Sequence, residues 1–390
     1  MRYLFDFSQD YINDPDRPVL SLSFKDQIGE LITDIRPAKT RLPPFFSNLF
    51  PEGSMRDYLA KRAGVNANRE FFLLWVLGRD LPGGMTVEPA GDGAWPPDSH
   101  DDDEDDGSGR DDTEKPLRFS LAGVQLKFSA VMEATGGLTI PAEGVGGSWI
   151  VKLPSMKFEG VPENEFAMMT LARMIGIDVP DVELVDVEAI SELPEGIGRL
   201  KGSALAIKRF DRTDDGGKIH MEDFAQVFNV YPERKYGRAS YRNIAEVIWA
   251  ENGKGGIEEF IRRLIFSVLI GNADMHLKNW SLIYPDQRLA VLSPGYDFVS
   301  TIAYIDDDKM ALGFLKSKSM FDLSIDALKR FTAKARLPEK LVVNAGTETV
   351  HRFMDVWMKE KANLPLSAHM IEVIEEHMRK IELVRESTRA

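Results

Sequence analysis

The run Gly271-Asn272-Ala273-Asp274-Met275-His276-Leu277-Lys278-Asn279 sets an aspartate five positions before an asparagine. That spacing matches the catalytic loop of protein kinases, H-R-D-x-x-x-x-N. A carboxylate there can accept or orient the proton of an attacking hydroxyl. An amide oxygen a few ångströms away can reach a metal on the phosphates. Taken alone, the pattern also describes a turn in which Asp and Asn cap backbone groups. Tyr296-Asp297-Phe298 follows, with Asp297 eighteen positions after Asn279. Between them Trp280–Tyr284, a Pro-Asp turn and Arg288–Leu292 read as a β-hairpin. A hairpin returns the chain to its start, so Asp297 is expected beside Asn279. Two adjacent oxygen ligands suit Mg²⁺, because water and phosphate oxygens complete its coordination.

A phosphate-facing lysine has two candidates. Ser148–Lys152 (SWIVK) and Ala204–Lys208 (ALAIK) both resemble the V-A-I-K strand of kinases. Chain order decides between them, since the lysine strand precedes the helix that carries its glutamate partner. Lys152 precedes a helix containing Glu165. Lys208 follows that helix and runs into Arg209-Phe210-Asp211-Arg212, which fits a segment connecting two lobes. Lys152 is therefore assigned to the phosphates. Upstream of it, Phe119–Lys127 (FSLAGVQLK) has one glycine and no G-x-G-x-x-G pattern. Its position is that of a nucleotide-covering loop, which makes Ala122, Gly123, Val124, Gln125, Leu126 and Lys127 candidate ATP contacts.

These residues need elements to hold them. Short strands such as Val19–Phe24, then helical patterns near Ser54–Ala63 and Arg69–Leu77, make residues 1–95 a small mixed region. Residues 96–116 carry the acidic run Asp98–Asp112, read as a disordered, solvated insertion rather than a calcium loop, whose ligand spacing it lacks. Residues 117–215 are β-rich (Phe119–Met132, Ser148–Leu153, Ala204–Phe210), with one helix at Glu163–Ile175. Residues 216–390 are mainly helical: Met221–Phe228, Tyr241–Glu251, Ile257–Ile270, Ser324–Ala335, Leu341–Met358 and Ser367–Arg385. The expected fold class is α+β, a β-rich lobe and a helical lobe with a cleft between them.

Composition removes several other chemistries. With no cysteine in 390 residues, disulfides, thiolate zinc sites and cysteine nucleophiles are excluded. No H-E-x-x-H, G-x-S-x-G or G-x-x-x-x-G-K-[ST] pattern occurs. A net charge of −14 disfavours direct nucleic-acid binding. The apolar stretches are too short to span a bilayer and no secretory signal is read at the N-terminus, so a cytoplasmic protein is expected.

Jointly, these motifs resemble the HipA family of serine/threonine-protein kinase toxins. The loop Ser120–Lys127, WIVKLP at Trp149–Pro154, Asn164-Glu165, LAIKRFDR at Leu205–Arg212 and EDFAQ at Glu222–Gln226 occur in the family's order. So do Gly271–Asn279 and Tyr296-Asp297, and, in the N-terminal part, Leu20–Phe24, NLFPEG at Asn48–Gly53 and Gly78-Arg79-Asp80. The resemblance implies a protein-kinase-like two-lobe fold with a small N-terminal HipA-type subdomain. It implies that Asp274 is the catalytic base, that Asn279 and Asp297 hold Mg²⁺, and that Lys152 contacts ATP phosphates. Lys208, Arg209 and Phe210 would form the hinge against adenine, largely through backbone groups, and His276, Lys278 and Tyr296 would lie near the nucleotide. Ser120 would be autophosphorylated, shutting the enzyme off, because the modification places nearly two negative charges where ATP phosphates sit. Implied partners are a helix-turn-helix antitoxin, DNA only through that antitoxin, and a protein substrate, an aminoacyl-tRNA synthetase in the family.

The sequence departs from the family in three places. The leading strand pair is expected to be missing, Lys208 stands where some members carry an acid, and the acidic run is inserted. Two other readings are a small-molecule kinase sharing the catalytic loop and a catalytically silent protein that joins an antitoxin at DNA.

Overall fold

The computed structural model describes residues 2–38, 41–62, 64–90, 126–132, 138–140, 146–193, 200–305 and 307–389. The acidic run and most of the Ser120 loop lie outside them. Among the described residues no helix is long and apolar enough to cross a membrane.

The N-terminal region contains α1 (Gln9–Asn13), α2 (Pro44–Ser47), α3 (Gly53–Arg62) and α4 (Glu70–Leu77). Its own core gathers Phe24, Phe45, Phe46, Phe50 and Leu73. The strand expected over Val19–Phe24 is instead a 3-10 turn at Leu22–Phe24. Side chains take the donors that a strand would give to a neighbour. The Ser21 hydroxyl accepts from the Ser23 N–H at 3.0 Å, and the Glu222 carboxylate accepts from the Leu22 N–H at 2.9 Å.

The β-rich lobe comprises β1 (Lys127–Met132), β2 (Leu138–Thr139), β3 (Trp149–Lys152), β4 (Val182–Asp186), β5 (Ile190–Ser191) and β6 (Ser203–Lys208). Among the described residues they form one sheet in the order β4-β6-β3-β1-β2-β5. β3 is central, and the register opposes Lys152 to Lys127 on β1 and to Leu205 on β6. Helix α5 (Val161–Met174) packs on β4 and β6. It opens with Pro162 in its first turn, where the missing N–H costs nothing.

The helical lobe begins with β7 (His220–Asp223) and α6 (Phe224–Val227). This divides the helix expected over Met221–Phe228. The cause is Asp223, whose side chain accepts from the Gln226 N–H while the Gln226 side chain returns the bond, a capping box that starts a helix only at Phe224. Helix α7 (Tyr241–Leu269) breaks inside at Gly253 (φ 59°, ψ −139°), so two helical pieces occur as expected. Next come β8 (Ser281–Tyr284) and β9 (Val291–Leu292), which pair as the expected hairpin, with β7 on the other side of β8. β10 (Lys309–Phe314), β11 (Ser317–Ser319), α8 (Ile325–Ala335), α9 (Glu339–Glu360), α10 (Ala368–Lys380) and α11 (Glu382–Arg389) complete the chain. The single helix expected over Ser367–Arg385 is broken at Ile381, which is extended (ψ 124°).

The core of this lobe fixes the site above it. Phe298 is fully buried, edge-on to Phe266 at 5.1 Å, and Phe266 packs on Phe353 at 5.8 Å. Each such ring contributes about 1.5–3 kcal/mol by burial. The chain is thereby pinned one residue after Asp297.

The N-terminal region packs on both lobes. Met55 of α3 joins the core of the β-rich lobe. The Gln226 amide donates to the Phe45 carbonyl at 2.9 Å, and Glu222 accepts from the Ser21 hydroxyl at 2.5 Å and from Tyr284. Burial pushes the Glu222 carboxyl up to about 7 and Asp223 up to about 6. A carboxyl whose folded value exceeds its unfolded value binds a proton more tightly when folded. Its contribution is present below the unfolded value and is lost as pH rises through the folded one. For Glu222 the loss runs from about pH 4.5 through about pH 7. Glu222→Gln mimics the protonated acid: its oxygen can accept from Leu22 and Tyr284, and its amide can donate to Ser21. Thermal melts should show the variant more stable than wild type at pH 8, by at most about 3 kcal/mol, with the difference gone at pH 4. An advantage that stays constant across this range would reject the titration.

Candidate active site

The loop after α7 leaves the helix through a tight cap. Gly271 has φ +66°, its N–H donates to the Val268 carbonyl at 3.1 Å, and the Asn272 N–H donates to Ser267 at 2.8 Å. This pair of bonds is a Schellman cap, in which glycine takes the left-handed position. A Cβ at residue 271 would also lie 2.3 Å from the Ile302 side chain. Past the cap the loop is cross-braced. The Asn272 Oδ1 accepts from the Asp274 N–H at 3.0 Å, and its Nδ2 donates to the Asp297 carbonyl at 3.3 Å. Asn279 Nδ2 donates to the Asp274 carbonyl at 2.8 Å, which leaves Oδ1 as the end free to ligate a cation. Tyr296 OH donates to the Lys278 carbonyl at 2.8 Å. The hairpin therefore returns Asp297 to the loop that holds Asp274 and Asn279. Asp297 itself sits at φ +56°, an unfavourable conformation for a residue with a side chain, held by the Phe298 anchor.

Charge is concentrated around Asp297. The Lys152 ammonium donates to Glu165 on α5 at 2.5 Å and to Asp297 Oδ1, and Lys127 Nζ stands 3.8 Å from Asp297 Oδ2. Burial opposes ionisation of Asp297, but Lys127 and Lys152 outweigh it and hold the carboxyl well below the usual range. Burial likewise opposes the charge on Lys152, and Asp297 and Glu165 reverse the effect, raising it above the ordinary lysine value.

Asp274 accepts a hydrogen bond from Tyr236 OH at 2.6 Å. Burial raises its carboxyl, and the Tyr236 bond only partly offsets this. A base of somewhat raised affinity that is oriented by a phenol suits proton acceptance from a hydroxyl. His276 lies edge-on to Tyr236 at 5.0 Å; burial, then Lys235, lowers its imidazole to about 3, so it is neutral.

Lys127, Lys152, Asp274, His276, Lys278, Asn279, Tyr296 and Asp297 all line one cavity of about 330 Å³. The Phe210 ring lies 5.7 Å from Tyr296. The side chains of Lys208 and Arg209 are engaged elsewhere. The Lys208 ammonium pairs with exposed Asp214, and Arg209 is buried against Asp80, Asp211 and the Ser129 hydroxyl. Their backbone N–H groups donate to the carbonyls of Asp181 and Ser148. β6 is paired on both edges, which uses these N–H groups, and neither residue lines the cavity. Leu126 packs against the sheet core, and its carbonyl accepts from the Leu153 N–H. Ser120, Ala122, Gly123, Val124 and Gln125 fall outside the described residues.

The structure adds residues that the sequence reading omitted. Glu52, Lys235 and Asn272 line the same cavity, and Tyr236 holds Asp274 within it. Glu52 belongs to the NLFPEG segment already singled out, but nothing in one sequence ties it to Lys235, 183 positions away. Among the described residues no group of three or more His, Asp or Glu side chains forms a metal cage. Asp297 and Asn279 offer instead two hard oxygen donors in one cavity, the number Mg²⁺ takes from protein when phosphates supply the rest.

Residues 119–357 match the HipA-like C-terminal domain, and residues 1–88 match the HipA N-terminal domain. A Sinorhizobium fredii protein named "Putative kinase Y4dM" is 58% identical over 99% of this chain and 93% of its own length. The "Serine/threonine-protein kinase toxin HipA" of Shewanella oneidensis is 27% identical over 79% of this chain and 74% of its own. The solved complex of Shewanella oneidensis HipA with HipB and operator DNA superposes with a TM-score of 0.72, at 21% identity, covering 98% of this chain and 91% of that one. That likeness gives the fold, a kinase-like one with an additional N-terminal region. On these matches and on its kinase-like fold, the chain belongs to the HipA family of kinases.

Proposed function

We propose that this chain is an ATP- and Mg²⁺-dependent serine/threonine protein kinase that acts as the toxin of a toxin–antitoxin pair. Support comes chiefly from one observation: Asp274, Asn279, Asp297 and the Lys152–Glu165 pair meet in a single cavity between the lobes. Asp274 takes or orients the proton of an acceptor hydroxyl. Lys152 meets the α- and β-phosphates, with Glu165 holding it in place. Asn279 and Asp297 hold Mg²⁺, which when bound neutralises charge on the β- and γ-phosphates. Lys152 and Lys127, which pair with Asp297 here, would turn to the nucleotide phosphates and leave its carboxylate for the cation. Phe210 and Tyr296 offer ring surface to the base. Resemblance to the family supports autophosphorylation of Ser120, a helix-turn-helix antitoxin that mediates DNA contact, and an aminoacyl-tRNA synthetase as substrate. Phosphopeptide mapping of cells expressing wild type or Asp274→Ala tests this. New phosphoserine sites, including Ser120, should appear only with wild type. Identical maps would reject the reading.

A further inference from the structure

Four lysines line the cavity, and they divide into two pairs by their partners. Lys127 and Lys152 face Asp297. Lys235 and Lys278 share Glu52: Lys235 Nζ lies 2.8 Å from Glu52 Oε2, and Lys278 Nζ lies 3.0 Å from Oε1. One carboxylate thus spans both ammoniums, one oxygen to each. Lys235 is a buried lysine, 5% exposed, directly preceding Tyr236, which holds Asp274. Lys278 directly precedes Asn279. Burial pushes the Glu52 carboxyl up, but Lys278 and Lys235 outweigh it and hold it at about 2.

Glu52 does not come from either kinase lobe. It lies just before α3, in the N-terminal region, and its neighbours Phe50, Pro51 and Met55 also line the cavity. The segment is fixed on both sides. Lys278 Nζ donates to the Asn48 carbonyl at 3.1 Å, and Asn48 Nδ2 donates to the Val230 carbonyl at 2.8 Å. On the other side Met55 sits in the core of the β-rich lobe. The carboxylate is therefore held at a fixed place between lobes.

A cavity that transfers a phosphoryl group needs cations aimed at three equatorial oxygens, and they must not collapse onto the base. The Lys235 charge also acts on Asp274, so without Glu52 that carboxylate is left to attract it. A lysine paired to that carboxylate would block it. We infer that Glu52 is a positioning residue, which holds Lys235 and Lys278 toward the transferred phosphoryl group and keeps Lys235 off Asp274. The N-terminal region then completes the catalytic cavity, beyond any part it has in binding a partner. This inference rests on the kinase reading above.

The test uses full-length protein, labelled ATP with Mg²⁺, and self-phosphorylation as the readout. Glu52→Gln keeps shape and removes charge. It should lower kcat about tenfold or more, while the KM for ATP changes by less than about threefold, because Lys152, Lys127 and the metal ligands remain. Glu52→Asp should recover part of the loss. Lys235→Met should lower kcat similarly, and the double variant should be no worse than the poorer single one, as expected for residues acting together. An ATP-induced thermal shift equal to that of wild type certifies folding. A wild-type kcat in Glu52→Gln, or multiplied losses in the double variant, would overturn the inference while leaving the kinase reading intact. So would a fall in kcat that matches the loss of ATP-induced shift. No transfer by wild-type protein would overturn the kinase reading itself, and Glu52's role with it.

Discussion

Asp274→Asn is expected to lower phosphate transfer from ATP by about 10²–10⁴-fold, the range for loss of a positioned general base. The amide has the shape of the carboxylate and can still accept the Tyr236 hydrogen bond, so the loop should keep its geometry. Stability should stay near wild type, and nucleotide affinity should change little, because Asn279, Asp297 and Lys152 are untouched. Asp274 Oδ1 is already held by the phenol, and burial favours the protonated form. Both features point to a group placed to receive a proton rather than to ligate a cation. Steady-state transfer to Ser120, or to a generic serine peptide, measured beside calorimetric nucleotide binding, separates these effects. A variant that loses binding and transfer together would move Asp274 from base to ligand.

Lys152→Met is expected to fail in both stability and catalysis. Its ammonium lies between two carboxylates and is almost fully buried. Removing it leaves buried Glu165 without its ion-pair partner and Asp297 with only the more distant Lys127, 3.8 Å away. Breaking a buried pair of this kind typically costs about 3–5 kcal/mol. Transfer should also fall, by about 10²–10³-fold, since a charge on the phosphates is lost from a closed cavity. Lys208→Met is the control for the lysine not chosen. Among the described residues its ammonium pairs with exposed Asp214, and denaturation midpoint and transfer should both stay close to wild type. If Lys208→Met abolished transfer and Lys152→Met did not, the two strands would have to exchange roles.

The difference between those lysines shows what one sequence can carry. SWIVK and ALAIK are equivalent as local patterns, and both are strands in the structure. Chain order separated them, because a lysine strand followed by a glutamate-bearing helix is a relation between elements. The hairpin between Asn279 and Asp297 was legible for the same reason: its turn chemistry and its length together determine where the chain returns. Local competition was harder to read. Asp223 turns Met221–Phe228 from one helix into a strand and a short helix, a decision made by one side chain bonding its own backbone. Ser21 and Glu222 remove the strand expected at Val19–Phe24 by taking its donors, and Glu222 lies two hundred positions away. Glu52 belongs to this second class. Its segment could be singled out by resemblance, but its place in the cavity depends on how the N-terminal region docks against both lobes. The side chains at the hinge were hard to read for a third reason. Strand β6 was legible, but pairing on both edges uses the N–H groups of Lys208 and Arg209, and Arg209 turns into the Asp80–Asp211 cluster.

In the function proposed above, one cavity between the lobes gathers the metal ligands, the phosphate lysine and the base around a single nucleotide. A crystal structure of the wild-type protein with Mg²⁺ and a non-hydrolysable ATP analogue tests it most directly. The cation should be bound by Asn279 Oδ1 and an Asp297 carboxylate oxygen, with Lys152 on the α- and β-phosphates and the γ-phosphate facing Asp274. A triphosphate bound elsewhere, or in this cavity with Lys152 still closed on Asp297 and no cation between Asp297 and Asn279, would contradict it.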